Sequence, residues 1–263
     1  MKIYRATISN RLTQNFGANN ACAKMSPAGF AYRPYQITSK PATAKSCPMY
    51  YTEFYPLLGM FGHNGNDWAI FRGEAIYFNV DIPNIRWYAE RDTDDDQGIG
   101  IRVKSLDPIK FEESDLPAEM SDHSKRYWKE HNGMMYIQML YWHIKESALA
   151  GKPQIQVGTF ADGKPQMRAE VKLGDLIAFG NSTGASSGDH VHEAMKFCEA
   201  SGFTIGNDNG YYGAVDHSKW DEQQTFVGQV IKVKEQAMTA IKLAHEVIAI
   251  VRAFIRIKFG RRL

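Results

Sequence analysis

Gly180-Asn181-Ser182-Thr183-Gly184-Ala185-Ser186-Ser187-Gly188-Asp189-His190-Val191-His192 is the stretch on which the reading of this chain turns. The Gly and Ser residues allow a tight bend, after which the chain enters a strand. In a strand, residues two apart project from one face, so His190 and His192 reach the same point while Val191 faces away. Taken alone, the pair also fits two surface histidines on a half-exposed strand. Upstream lies His63-Asn64-Gly65-Asn66-Asp67. A spacing of four would align His63 and Asp67 on a helix, but Gly62, Asn64, Gly65 and Asn66 oppose helix. The expectation is a loop running into a strand that begins at Asp67. Between the two clusters, Tyr141-Trp142-His143-Ile144 adds another imidazole. A hydrolytic zinc site needs three protein ligands, an open fourth position and a group to move protons. These segments supply all of that with one histidine to spare.

The remaining sequence sets the frame. The chain has 263 residues, 44% hydrophobic and 23% charged, an ordinary globular composition with enough length for a buried core. Cys22, Cys47 and Cys198 form no CxxC, which argues against a zinc ribbon or a disulfide framework. Buried free thiols or a single Cys22–Cys47 bridge are the open readings. From 56 to 217, short apolar or alternating runs separated by Gly, Asp or Pro predict strands, as in Trp68–Phe71, Ala75–Val80, Gly100–Val103, Met135–Tyr141 and Leu176–Phe179. A helix is expected around Ser121–His131, and a solvated loop at Asp92–Asp96, with a calcium loop as the weaker alternative. Residues from about 18 to 55 have no clean period and read as an insertion. The fold class expected is mostly β (α+β).

Beyond Asp221 the texture changes. Val227, Val230, Ile231, Met238, Ile241, Ala244, Ile248, Val251 and Ile255 recur mostly at three- and four-residue steps, which predicts a long amphipathic helix. The domain division is therefore 1–220 for the body and 221–263 for this tail. Eight basic and two acidic residues give Gln223–Leu263 a charge of +6, against +2 for the whole chain. A basic helix of this kind suits an anionic membrane or envelope surface, and docking of 224–259 on protein fits equally. No nucleic-acid partner is expected. The N-terminus shows no apolar signal-peptide region, and no run approaches the roughly 20 residues that span a bilayer.

The three segments together resemble the lysostaphin/LytM-type zinc endopeptidases, which cut peptide cross-links of bacterial peptidoglycan. The family pattern appears as His63-x-Gly65-x-Asp67, Tyr141-x-His143, and Gly184-x-Ser186-x-Gly188-x-His190-x-His192. Leu12–Gly17 looks like the family's opening strand and Gly210–Asp216 like its closing segment. The resemblance implies an antiparallel β-sheet core, a Zn²⁺ ion held by His63, Asp67 and His192, and His143 and His190 as the flanking catalytic histidines. It implies peptidoglycan as substrate, and with the basic tail it suggests a phage-type lysin, carried in a virion or released at lysis. The alternative is a virion structural or wall-binding protein that keeps the fold without turnover. Glu193 departs from the pattern, since the family usually places an aromatic after the HxH pair, so the outer face or edge of that strand is expected to differ. Tyr141 either lends a hydroxyl to the site or simply packs, Trp128 either lines the groove or belongs to the core, and His217 is a possible supporting partner.

Overall fold

The computed structural model describes residues 1–9, 11–14, 16–17, 60, 62–94, 98–184, 186 and 188–225. The strands run, in chain order, β1 (Lys2–Arg5), β2 (Leu12–Gln14), β3 (Asn66–Ala69), β4 (Ala75–Tyr77), β5 (Val80–Asp81), β6 (Trp87–Asp94), β7 (Gly98–Ser105) and β8 (Ile109–Lys110). After the helix α1 (Asp122–Glu130) follow β9 (Met134–Trp142), β10 (Ile144–Ser147), β11 (Gln154–Thr159), β12 (Pro165–Val171), β13 (Leu176–Gly180), β14 (His190–Cys198), β15 (Ala214–Val215) and β16 (Asp221–Thr225). Among the described residues every strand pairing is antiparallel except that of β1 with β16.

One large sheet organises the rest. Its order is β11-β12-β6-β7-β9-β14-β3-β2, with β15 beside β14 and β8 beside β9. Two three-stranded sheets, β16-β1-β5 and β10-β13-β4, complete the body. On β9 and β14 the odd-numbered side chains Met135, Ile137, Met139, Val191, Met195 and Phe197 are buried in the main core, together with Ile3, Val80, Ile76, Ile144 and Ile177 from the smaller sheets. Each large apolar side chain buried this way contributes about 1.5–3 kcal/mol. The even-numbered face is different. It carries a smaller cluster of Leu140, Trp142 and Ala194, packed with Phe16 and Tyr211. A Cβ on Gly100 would lie 2.7 Å from the Trp142 ring, so glycine at that position leaves room for the indole against β7.

Local signals explain the helix. Ser121 caps it by accepting the Ser124 N–H at 3.1 Å, and Asp122 sits in the first turn, where a negative charge is favourable. Asn132 and Gly133, at φ 53° and 81°, then turn the chain into β9.

Two expectations need correction. Asp92–Asp94 belong to β6 rather than to a loop, because the β6–β7 ladder continues to the Asp94–Gly98 pair. The helix expected from Asp221 does not begin there. Asp221–Thr225 form β16, which finds an open edge on β1. The rest of that tail and the 18–55 insertion, with Cys22 and Cys47, lie outside the described residues, while Cys198 is a buried free thiol. No helix among the described residues is long and apolar enough to cross a membrane.

β16 is anchored by an ion pair. His217, only 2% exposed, donates from Nδ1 to Asp221 Oδ1 at 2.6 Å. Burial pulls the imidazole's pKa down, but the Asp221 charge and hydrogen bond outweigh it, and the value is raised to about 9 from 6.5. A folded value above the unfolded one gives stability that is complete below pH 6.5 and is lost as pH rises through about 9. The stability difference between wild type and Asp221→Asn, followed by urea unfolding, is therefore expected to shrink across that window. A difference that stays constant with pH would contradict the pairing.

Candidate metal centre

The β3–β14 ladder places Asp67 directly opposite His192. The loop before β3 brings His63 over the same point. Asp67 Oδ1 lies 3.0 Å from His192 Nδ1 and 3.2 Å from His63 Nε2, and the two imidazole nitrogens are 3.0 Å apart. A tetrahedral ion with bonds of about 2.0–2.2 Å requires donor atoms about 3.3 Å from one another. This triangle is close to that size, and a metal-sized point sits above it. All three side chains are buried, at 4%, 8% and 8% exposure for His63, Asp67 and His192.

The electrostatics match the geometry. Burial opposes ionisation of Asp67, yet the neighbouring His63 and His192 hold its carboxyl well below the usual range. Burial lowers His192 and keeps that imidazole neutral. An ionised carboxylate and a neutral imidazole are the protonation states in which these groups bind a metal. Two nitrogens and one oxygen are a donor set that Zn²⁺ accepts.

Gly65 explains why the first cluster has the form it does. A Cβ there would stand 2.5 Å from the Glu193 carbonyl oxygen and 2.7 Å from His192 Nε2. The loop can cross β14 this closely only without a side chain.

His143 and His190 flank the triangle. Their ring centroids are 4.5 Å apart, and that of His143 is 6.2 Å from His192. His143 Nδ1 donates to the Thr183 carbonyl at 2.6 Å, and His190 Nδ1 to the Gly188 carbonyl at 2.8 Å. A carbonyl only accepts, so both rings carry a proton on Nδ1, which leaves Nε2 as the position that can take up or give a proton. Burial, above all, lowers His143 to about 4, so its imidazole is neutral at physiological pH. His143 also has φ 64°, a left-handed conformation that costs energy for a residue with a side chain. It is the junction where the chain leaves β9 in the large sheet for β10 in the small one. The 181–184 segment holds it there: Asn181 N–H donates to the His143 carbonyl at 3.0 Å, and the Thr183 hydroxyl to that of Ile144 at 3.0 Å.

The reverse face of the same strands carries a polar network that sequence inspection did not find. Glu193, 1% exposed, accepts from Asn79 Nδ2 at 2.6 Å. The Tyr141 hydroxyl donates to Asn79 Oδ1, and Asn79 Nδ2 also donates to the Tyr4 carbonyl. Burial pushes the Glu193 carboxyl up to about 7. The expected difference at Glu193 is thus real but lies at the strand's inner face. β14 is central, flanked by β9 and β3, and is no edge. Tyr141 faces away from the metal triangle, which settles its role as a packing and hydrogen-bonding residue. A cavity of about 460 Å³ opens on this side, lined in part by Tyr4, Trp68, Glu193, His217 and Asp221. Asn66, next to Asp67, accepts the Phe16 N–H at 2.9 Å and contacts His217 at 3.5 Å, so His217 supports the strand rather than the triangle itself. Its pairing with Asp221, four residues on, was the only available signal.

The weaker candidates fall elsewhere. His123 on α1 and His131 at its C-cap are exposed, with His131 stacked on Tyr127 at 3.8 Å. Trp128 donates its indole N–H to Phe111 O at 2.9 Å and packs on the main core. Cys198 shares the His192 face of β14 but lies six residues on, about 20 Å, and burial pushes its thiol up to about 12, which makes it inert.

No family model and no curated protein matches the chain. Solved structures similar to it include a zinc-containing peptidase from Vibrio cholerae, at 14% identity and a TM-score of 0.35, covering 82% of this chain. The chain spans 39% of the length of that peptidase. A point mutant of the catalytic domain of the prophage-encoded protein EnpA from Enterococcus faecalis gives 14% identity and a TM-score of 0.31, covering 75% of this chain and 88% of the other. The catalytic domain of the antimicrobial peptidase lysostaphin from Staphylococcus simulans gives 16% and 0.29, covering 55% and 74%.

Replacing His63, Asp67 or His192 singly by Ala is expected to weaken zinc binding by more than about 100-fold, and Gly65→Ala by about 10- to 100-fold through displacement of His192. Competition with a chromophoric chelator measures both. Wild-type affinity in the Asp67→Ala variant would exclude this triangle as the metal site.

Proposed function

We propose that the chain is a zinc-dependent endopeptidase that hydrolyses amide bonds in the peptide cross-links of bacterial peptidoglycan. The observation that supports it is the donor triangle of His63, Asp67 and His192 flanked by two imidazoles, those of His143 and His190, each tied to a backbone carbonyl through Nδ1. A zinc ion held by the three would act as a Lewis acid toward an amide carbonyl and make water acidic enough to react at neutral pH.

The protein's own groups do the rest. Hydrolysis needs a proton removed from the attacking water and a proton delivered to the leaving nitrogen as the C–N bond breaks. Nε2 of His143 or His190 can accept the first proton, since Nδ1 of each is already committed to a backbone carbonyl. Once protonated, the same Nε2–H can stabilise negative charge on the carbonyl oxygen or pass its proton to the amine. The Thr183 and Gly188 carbonyls stabilise the imidazolium forms that arise in between. Burial of His143 keeps water from competing for these hydrogen bonds.

Peptidoglycan as the substrate is supported by the order and spacing of the three motifs described above. The setting inferred is that of a phage-type lysin. The charge of +6 on Gln223–Leu263 supports it, because such a segment is drawn to an anionic envelope surface.

Digestion of purified peptidoglycans that differ in cross-bridge chemistry, followed by mass spectrometry of the newly formed amine, tests the activity. His143→Ala and His190→Ala are each expected to lose about a hundred- to ten-thousand-fold in kcat while keeping bound zinc. Near-wild-type turnover in both variants would refute their proton-transfer roles.

A further inference from the structure

The face of β14 that bears His190 and His192 continues past the metal triangle. β14 keeps one register against β9 from the His192–Trp142 pair to Cys198–Tyr136. β9 does the same against β7 from Trp142–Gly100 to Gln138–Lys104, and β7 against β6 through Arg102–Glu90 and Gly100–Asp92. Because side chains alternate, Lys196, Arg102, Lys104, Glu90 and Asp92 all stand on the face of His192. Lys196 lies four residues from His192, about 13 Å along the strand, and Arg102 lies two strands across from Ala194, about 10 Å. Ala194 and Leu140 between them are packed with Phe16 and Tyr211, so a peptide reaching from the triangle to Lys196 passes over this cluster, a span of about four or five extended residues.

Charge pairing along this row is complete but for one group. Arg102 pairs with Asp92. Lys104 meets Glu90 at 3.0 Å, and Arg168 meets the same carboxylate at 2.8 Å. Lys196 has no ion-pair or hydrogen-bond partner among the described residues. Its surroundings are unfavourable to it. Burial, and then the adjacent Arg102 charge, lower its ammonium to about 8, with only partial relief from Asp92. Arg102 Nε is itself buried without an acceptor. Two half-buried cationic groups, diagonal to one another across β9, thus share one carboxylate, and the Arg102 Nε is left without an acceptor. Such an arrangement costs stability, and an apolar side chain at position 196 would avoid the cost. An anion seated between the two would satisfy both. Lys196 is also the one side chain on β14 after His190 that is not fully buried, so a ligand on this face can reach it.

The geometry points to a carboxylate-binding subsite, formed by Lys196 and Arg102, that receives a free carboxylate of the peptide substrate a few residues from the bond that is cut. This assignment rests on the peptidase reading and gives that site a chemical preference: peptides bearing an unblocked carboxylate over their carboxamide forms.

The test uses two cross-linked peptides that differ only in that carboxylate or carboxamide, with zinc-loaded wild type, Lys196→Met and Lys196→Arg. Wild type is expected to show a KM about tenfold lower for the acid at similar kcat. Lys196→Met removes the preference and leaves kcat on the amide within about twofold, and Lys196→Arg restores part of it. Lys196→Met should also melt higher than wild type, since an unpaired charge has gone; a lysine with a purely structural role would make it melt lower. An acid preference that survives in Lys196→Met overturns the subsite. If wild type hydrolyses neither peptide, the peptidase reading fails instead. The subsite is then judged by whether the acid peptide alone raises the wild-type melting temperature and fails to do so in Lys196→Met.

Discussion

The register between β3 and β14 is the constraint on which everything else depends. It sets the Asp67 carboxylate opposite His192, so that one oxygen lies 3.0 Å from an imidazole nitrogen in a nearly water-free position. A strand slip of a single residue would send Asp67 to the core face and put Asn66 or Trp68 against the histidine. Burying a carboxylate is costly unless opposite charge or hydrogen bonds compensate. Here the two imidazoles do so in part, and a divalent ion would complete the compensation. The site and the sheet register therefore stabilise one another.

The sheet divides its labour by face. Odd positions of β9 and β14 bury apolar side chains in the main core and end in the Tyr141–Asn79–Glu193 network. Even positions carry His190 and His192, then Ala194, then Lys196. The polar network on the inner side ties β14 to β9 and, through Asn79, to the backbone at Tyr4. A fully satisfied buried network fixes one arrangement more firmly than apolar contacts alone. That rigidity suits the function proposed for this face, which requires donor atoms held within a few tenths of an ångström.

Much of this was legible in the sequence. The two-residue step of His190 and His192 fixed their common face, and the Gly and Asn residues of 62–66 ruled out a helix there, as the structure bears out. The β runs of the body and the helix capped by Ser121 were readable from alternation and capping chemistry. Other features were not. The strand at Asp221–Thr225 has no apolar alternation of its own, and exists because β1 offers an unpaired edge. The aspartates at 92–94 looked like a solvated loop because charge dominates local reading, whereas Arg102 across the ladder makes a strand position favourable. Glu193 looked like an anomaly, and its carboxyl is accommodated by groups distant in sequence, the His217 charge and the amide of Asn79, 114 residues away. Orientation of His143 and His190 by the Thr183 and Gly188 carbonyls is a backbone effect with no signature in residue type.

The central claim is that His63, Asp67 and His192 share one zinc ion. X-ray absorption spectroscopy at the zinc edge of the loaded protein tests it most directly. The account predicts a first shell of light atoms at about 2.0–2.2 Å with the outer-shell scattering of two imidazoles and no sulfur near 2.3 Å. A sulfur shell, or six oxygen neighbours without imidazole scattering, would contradict it.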